Sequence, residues 1–205
     1  MTLLLIRHGE TPLNIARVLQ PAATPLSEKG HRQAVALAHR VAALGPAAIV
    51  SSDLPRALQT AQHLARATGL SITTTALLQE RNFGDLRGRA YDSLDRDPMQ
   101  MPDAPPGGES MPAFEQRIAA AFAHLVELRT AIAGPLAVVS HGLVVKALLM
   151  GFARRRHDDQ HLPIRMRNCS LSILGYTAPF EIELLDCTAH LTGDLIEPTR
   201  SLSGG

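Results

Sequence analysis

The sequence predicts an α/β fold with a largely parallel sheet. Three observations carry this: short runs that are apolar throughout, helical stripes between them, and Gly or Pro at most junctions. A run without polar alternation reads as a strand buried on both faces. Strands that alternate with helices build parallel sheets.

Leu3-Leu4-Leu5-Ile6 is the first such run, and it ends in Arg7-His8-Gly9. Thr11 can cap a helix that has Pro12 at its first position, where a missing N–H costs nothing. Past Pro21 and Pro25, Ser27 caps a helix expected to reach about Leu44, with Ala34, Leu37, Ala38 and Val41 on one stripe. Gly45-Pro46 ends it. Residues 47–50 form a second strand, stopped by Ser51-Ser52-Asp53, and a helix over 54–68 ends at Gly69. Residues 72–78 alternate weakly and read as a third strand.

From 79 to 110 the chain is rich in Gly and Pro and reads as loop, with at most a short helix at 91–95. Loops this long inside a compact domain are commonly functional. Ser110 caps a helix over 111–132, stopped by Gly134-Pro135. Residues 136–139 are a further buried strand, followed by Ser140-His141-Gly142 and a helix to about Phe152. Strands are expected at 170–176 and 181–185. No repeat or linker divides the chain, so one domain is expected over 1–192, with a disordered tail over 193–205.

Composition narrows the function. Lys plus Arg number 20 against 19 Asp plus Glu, a formal net charge of +1. That balance speaks against nucleic acid, an acidic tail or a polybasic membrane anchor. Aromatic residues make up 3%, which leaves little for base stacking. Hydrophobic residues make up 45%, enough for a core that needs no disulfide or structural metal. Cys169 and Cys187 form no CxxC pair and read as small buried hydrophobes. The first apolar run is too short for a signal peptide, and none nears the ~20 residues that span a bilayer. A soluble, cytoplasmic protein is expected.

The chemistry gathers where polar residues stop the strands. Arg7-His8, Ser51-Ser52-Asp53 and His141 all follow strand candidates, at the carboxyl edge where open α/β sheets form their ligand crevice. Arg56 lies about one turn into the next helix, close enough to face the same edge. Two imidazoles and two guanidinium forks around one crevice suit a phosphate dianion, which Arg binds in pairs. No GxxxxGK[ST] or GxGxxG occurs, so nucleotide triphosphate or dinucleotide use has no support. His157 and His161 are spaced four apart with carboxylates between them. No third ligand is identifiable, so they read as a solvated face and no metal is expected. Arg154-Arg155-Arg156 reads as a surface run.

These residues carry a resemblance. Leu5-Ile6-Arg7-His8-Gly9-Glu10-Thr11 with Asn14 is similar to the signature of the histidine phosphatase superfamily, the phosphoglycerate mutase-like family. The likeness continues through Pro25-Leu26-Ser27-Glu28-Lys29-Gly30, then Ser51-Ser52-Asp53-Leu54 with Arg56-Ala57 and Thr60-Ala61. It runs on through Glu80 before Phe83-Gly84, Gly107-Gly108-Glu109-Ser110 and Val138-Val139-Ser140-His141-Gly142, nearly the whole chain.

The resemblance implies a three-layer α/β/α fold whose mixed, mostly parallel central sheet has helices on both faces. It implies a metal-independent phosphomonoesterase acting through a phosphohistidine, with no cofactor. His8 would be the nucleophile. Arg7, Arg56 and His141 would donate to the phosphoryl oxygens, with Asn14 as a neutral donor. Glu80 would be the general acid and then the base, with Asp85 and Glu109 as competing carboxylates in the same segment. Gln20, Arg81 and Arg87 complete the expected substrate contacts.

Two departures bear on substrate. Leu19-Gln20-Pro21-Ala22-Ala23 stands where relatives commonly show a Gly and then an Asp. Leu86-Arg87 stands where many phosphatases carry Trp and Glu, and the extra cation favours a substrate with a second negative group. Glu80-Arg81-Asn82-Phe83-Gly84 is similar to the Glu-Arg-x-Tyr-Gly of cofactor-dependent phosphoglycerate mutases, which makes a mutase the first alternative. The short span from Glu80 to His141 has no Arg-Arg pair and argues for a phosphatase. A non-catalytic phosphate-binding regulatory protein is the second alternative. The expected partner is a small-molecule phosphate monoester, and a homodimer is compatible with the family.

Overall fold

Every residue of the first strand, Leu3–Arg7 (β1), is buried, as its unbroken apolar run requires of a strand covered on both faces. The computed structural model describes residues 2–154, 165–175 and 178–196. After β1 come Pro12–Ile15 (α1), Glu28–Ala43 (α2), Ala48–Ser52 (β2), Pro55–Thr68 (α3) and Ile72–Thr75 (β3). Met111–Thr130 (α4), Leu136–Ser140 (β4), Gly142–Phe152 (α5), Ala153–Arg154 (β5), Leu171–Leu174 (β6) and Phe180–Cys187 (β7) follow.

The strands form one sheet in the order β3-β2-β4-β1-β6-β7-β5. β1 runs parallel to β4, β4 to β2, β2 to β3 and β5 to β7, while β6 is antiparallel to both β1 and β7. The sheet is therefore mixed but mostly parallel. Alternate residues of each strand feed two cores. Leu3, Leu5, Val50 and Val138 pack against Phe114, Ile118 and Leu125 of α4 and Val145 and Leu148 of α5. Leu4, Ile6, Ile49, Ala137 and Val139 pack against Leu37 and Val41 of α2 and Ala57, Ala61 and Leu64 of α3. This is the expected three-layer α/β/α arrangement. No helix among the described residues is long and apolar enough to cross a membrane.

The capping chemistry explains the boundaries. Thr11 accepts from the Asn14 N–H, and the Asn14 side chain accepts from the Thr11 N–H, a reciprocal box that starts α1. Ser27 and Ser110 cap α2 and α4, and Gly69 closes α3 at a φ of 73°.

Some expectations need correction. The strand expected over 72–78 stops at Thr75 and turns into a 3-10 turn, Ala76–Leu78. β5 was not expected. It is only two residues long, and it follows α5 directly. Disorder does not begin at Gly193. A 3-10 turn over Gly193–Leu195 is tied to α2 by Arg32–Asp194, Gln33 Nε2 to the Leu195 carbonyl and Lys29 Nζ to the Ile196 carbonyl. Cys169 is buried as expected, but Cys187 is only partly covered and accepts from Arg40. Residues 197–205, the pair His157 and His161, Arg155, Arg156 and Tyr176 lie outside the described residues.

Candidate active site

The register of the three central strands assembles the site. Arg7 pairs with Ser140, and Ser51 pairs with Val139, so β1, β2 and β4 end side by side. His8 and His141 each follow the last residue of their strand. Their ring centroids are 5.2 Å apart, edge to face, with both rings fully buried.

The loop after β1 is held at every step. The His8 N–H donates to the Ser140 carbonyl, and the His8 carbonyl accepts from Cys169 N and Asn168 Nδ2. Gly9 N donates to Thr60 Oγ1 at 3.1 Å, and Glu10 N donates to Gln33 Oε1 at 2.9 Å. Backbone so fully paired fixes the direction of the imidazole.

The His8 ring is asymmetric. Nδ1 lies 2.7 Å from the Gly9 carbonyl, which can only accept, so Nδ1 carries the proton. Nε2 then bears a lone pair, and it is buried without a hydrogen-bond partner. Burial, and then Arg56 and Arg7, hold the ring well below the usual imidazole pKa, so it stays neutral.

His141 has the opposite arrangement. Its Nε2 lies 2.9 Å from Ser52 Oγ, while its Nδ1 is unpartnered. Ser52 Oγ also accepts from Leu54 N at 3.3 Å, and its hydroxyl proton can be given to His141 Nε2 in the tautomer protonated at Nδ1. Nδ1 is then an N–H donor aimed at the site. Burial and the charge of Arg56 keep this ring neutral too.

Arg7 and Arg56 are buried beside the rings. Arg7 Nη1 is anchored on the Met166 carbonyl at 2.6 Å, and Arg56 Nη1 reaches the Pro21 carbonyl at 3.4 Å. Desolvation lowers Arg56 to about 10, so it remains cationic at neutral pH.

Glu80 is buried on the same side. Its Oε1 accepts from Arg81 N at 3.1 Å and its Oε2 from Leu143 N, in the first turn of α5, at 3.3 Å. Burial pushes its pKa up, against the pull of these two N–H groups and of Arg56 and Arg7. Glu109, the competing carboxylate, is already paired with Arg117 through Nε at 2.9 Å and Nη2 at 2.8 Å. Asp85 is exposed. Of the three, Glu80 alone is sealed in with the arginines.

Asn14 lies beside this cluster. Its Oδ1 accepts from Asn168 Nδ2, which also bonds the His8 carbonyl, and its Nδ2 is buried without a partner. Gln20 is buried and accepts from Thr11 Oγ1. Arg87 is half-buried, and its charge is felt by Glu80 and Arg56.

Arg81 is the exception among the expected contacts. Its guanidinium turns away to the carbonyls of Pro98, Met101, Asp103 and Glu109. Those carbonyls belong to irregular chain with no ladder to satisfy them, so Arg81 is spent on holding the 98–109 segment.

Sequence reasoning placed Ser52 at the ligand edge and Thr60 in the family likeness without giving either a role, and it passed over Gln33 and Asn168; all four orient the rings and the loop. Ser52 had a usable signal, since it ends a strand beside His141. Asn168 had none, because nothing in its neighbourhood marks it as facing His8. No group of three or more His, Cys, Asp or Glu suited to a metal ion occurs among the described residues.

The chain is similar over most of its length to known proteins. Residues 3–184 match the family described as the histidine phosphatase superfamily (branch 1). A protein of Yersinia pestis (strain Pestoides F) named "Probable phosphoglycerate mutase GpmB" is 40% identical over 204 residues, 91% of this chain and 93% of the relative. The protein of that name from Salmonella paratyphi C (strain RKS4594) is 37% identical over 188 residues, 84% of this chain and 83% of the relative. Among solved structures, a mycobacterial glucosyl-3-phosphoglycerate phosphatase in complex with VO3 superposes with a TM-score of 0.77 at 29% identity. That match covers 90% of this chain and 98% of the neighbour. A putative alpha-ribazole-5'-P phosphatase from Escherichia coli K-12 gives a TM-score of 0.78 at 27% identity, over 92% of this chain and 97% of that one.

Proposed function

The chain belongs to the histidine phosphatase superfamily (branch 1), and from that premise we propose that it is a phosphatase that hydrolyses a small phosphomonoester through a phosphohistidine on His8. The observation that carries this reading is the ring asymmetry of His8. Its proton is held on Nδ1 by the Gly9 carbonyl, and an unpartnered Nε2 stands beside two buried guanidiniums.

The reaction has two balanced steps. His8 Nε2 gives its lone pair to phosphorus as the P–O bond to the alcohol breaks, and Glu80 transfers its proton to the leaving oxygen. Water then attacks phosphorus, the P–N bond returns its electrons to Nε2, and Glu80 takes the proton from water. Splitting one difficult displacement into two is the gain of covalent catalysis. Arg7, Arg56, the Nδ1–H of His141 and the Asn14 amide stabilise the charge on the equatorial oxygens. The guanidiniums supply the neutralisation that Mg²⁺ supplies in other phosphoryl transferases.

A mutase is the second reading, favoured by the names of the sequence relatives. Against it stands Arg81, the cation of the mutase-like Glu-Arg motif, which is committed to backbone carbonyls. The test is chemical. His8→Ala abolishes release of inorganic phosphate from a simple ester, and wild type quenched during turnover holds labelled phosphate stable to base and labile to acid. Hydrolysis that survives His8→Ala overturns the mechanism. Bisphosphate-dependent interconversion of phosphoglycerates that outpaces hydrolysis selects the mutase.

A further inference from the structure

Three arginines around the 79–110 segment are engaged, while Arg89 and Arg96 are exposed to solvent. Arg17 is paired with Asp92, Arg117 with Glu109, and Arg81 with four carbonyls. Arg87 differs. It is half-buried, and its guanidinium makes no hydrogen bond or ion pair among the described residues. A cation partly stripped of water and left unpaired is unfavourable unless an anion completes it.

Its backbone is firmly placed. Arg87 N donates to the Gly84 carbonyl, Gly88 N to the Leu19 carbonyl at 2.7 Å, and Leu19 N to the Arg89 carbonyl at 3.0 Å. Gly88 makes this turn at a φ of 86°. The same 19–21 stretch carries the Pro21 carbonyl that receives Arg56. Arg87 thus stands on a stitched rim beside the phosphate cup, with its charge interacting with both Arg56 and Glu80. Glu80 serves the leaving oxygen, so the Glu80 side is where the alcohol half of the substrate emerges. A guanidinium fork there matches a second oxyanion in paired hydrogen bonds.

We propose that Arg87 forms a second anion subsite, which reads a carboxylate or phosphoryl group on the alcohol half of the substrate. The inference rests on the phosphatase reading for its orientation. The substrate class is then a phosphomonoester with a second negative group on its alcohol half. Arg87 selects among esters, while His8 and Glu80 do the chemistry.

The test uses esters of two-carbon alcohols that differ only in terminal charge: 2-hydroxyethyl phosphate, phosphoglycolate, ethylene glycol bisphosphate and phosphoethanolamine. Wild type is expected to favour the anionic esters over the neutral one by about tenfold in kcat/KM, the size of a charged hydrogen-bonded pair. The more favoured of the two anionic esters identifies the group. Arg87→Ala collapses that ratio through KM, and Arg87→Glu turns it toward phosphoethanolamine. A ratio unchanged in both variants, or a wild type indifferent to terminal charge, overturns the proposal. If wild type hydrolyses none of the esters, the phosphatase reading fails instead. Calorimetric Kd values for the same esters then decide on Arg87, since an anionic preference lost in Arg87→Ala supports the subsite and equal values overturn it.

Discussion

Glu80 and His8 are both sealed from solvent, and burial moves them in opposite directions. The carboxyl is pushed toward its protonated form and the imidazole toward its neutral form, which are the states the proposed first step requires. With Glu80 as the proposed proton donor, the donor is lost as pH rises through its raised pKa, so the alkaline limb of kcat/KM is expected to belong to that residue. On the acid side His8 stays unprotonated well below the ordinary imidazole range. Glu80→Gln should remove the alkaline limb and cost about 10²–10⁴-fold with an alkyl phosphate. The loss should be much smaller with 4-nitrophenyl phosphate, whose leaving group needs no proton. Equal losses with the two esters would assign the acid elsewhere. Arg7, His8 and His141 were legible because each stands where an apolar run stops, Arg56 from its place one turn into the following helix, and Glu80 and Asn14 only through the family likeness. Arg81 misled for a physical reason: nothing in the sequence reveals that four carbonyls of a loop need a donor.

Among the elements, the N-terminal turn of α2 matters more than its distance from the chemistry suggests. Ser27 N donates to the Glu10 carbonyl at 2.8 Å, and Ser27 Oγ donates to Glu10 Oε1 at 2.9 Å. The contact is so close that a Cβ on Gly30 would fall 2.0 Å from the Glu10 carbonyl oxygen, and one on Gly9 would fall 2.6 Å from the Gly30 oxygen. Gly30→Ala should therefore displace the His8 loop and lower kcat by on the order of tenfold to a hundredfold, with the circular dichroism of the fold retained. Gly151→Ala, whose Cβ meets nothing within 4 Å, is the control and should leave kcat as it is. A normal kcat in Gly30→Ala would mean that the loop tolerates the shift. Helix positions were readable here because caps and Gly-Pro stops are local signals. The two-residue β5 was not, because its pairing with β7 is long-range and too short to leave a periodic pattern.

Across the whole molecule, several imidazoles are held neutral. His8 and His141 lie well below their ordinary pKa through burial, and His190 is lowered to about 4 for the same reason. The unfolded chain takes up protons near 6.5 that the folded one refuses, so stability falls as pH drops from about 6.5. Burial lowers His63 as well, and Glu80 acts in the opposite sense, as one group against four. The urea midpoint should be lower at pH 5 than at pH 7.5, and His190→Gln should reduce the difference. Coincident midpoints would show that the rings already carry protons in the folded state. The layered architecture was readable from alternation of strand and helix, but the order of strands was not, because it depends on which edges meet. That order places β1 between β4 and β6. β1 leaves the ribosome before β4 and β6 and waits for neighbours more than a hundred residues behind it, so its Leu3-Leu4-Leu5-Ile6 run stays uncovered until they emerge. Nascent chains of this protein should accordingly depend on chaperones, and His8, the proposed nucleophile, cannot take its working position until translation has passed β6.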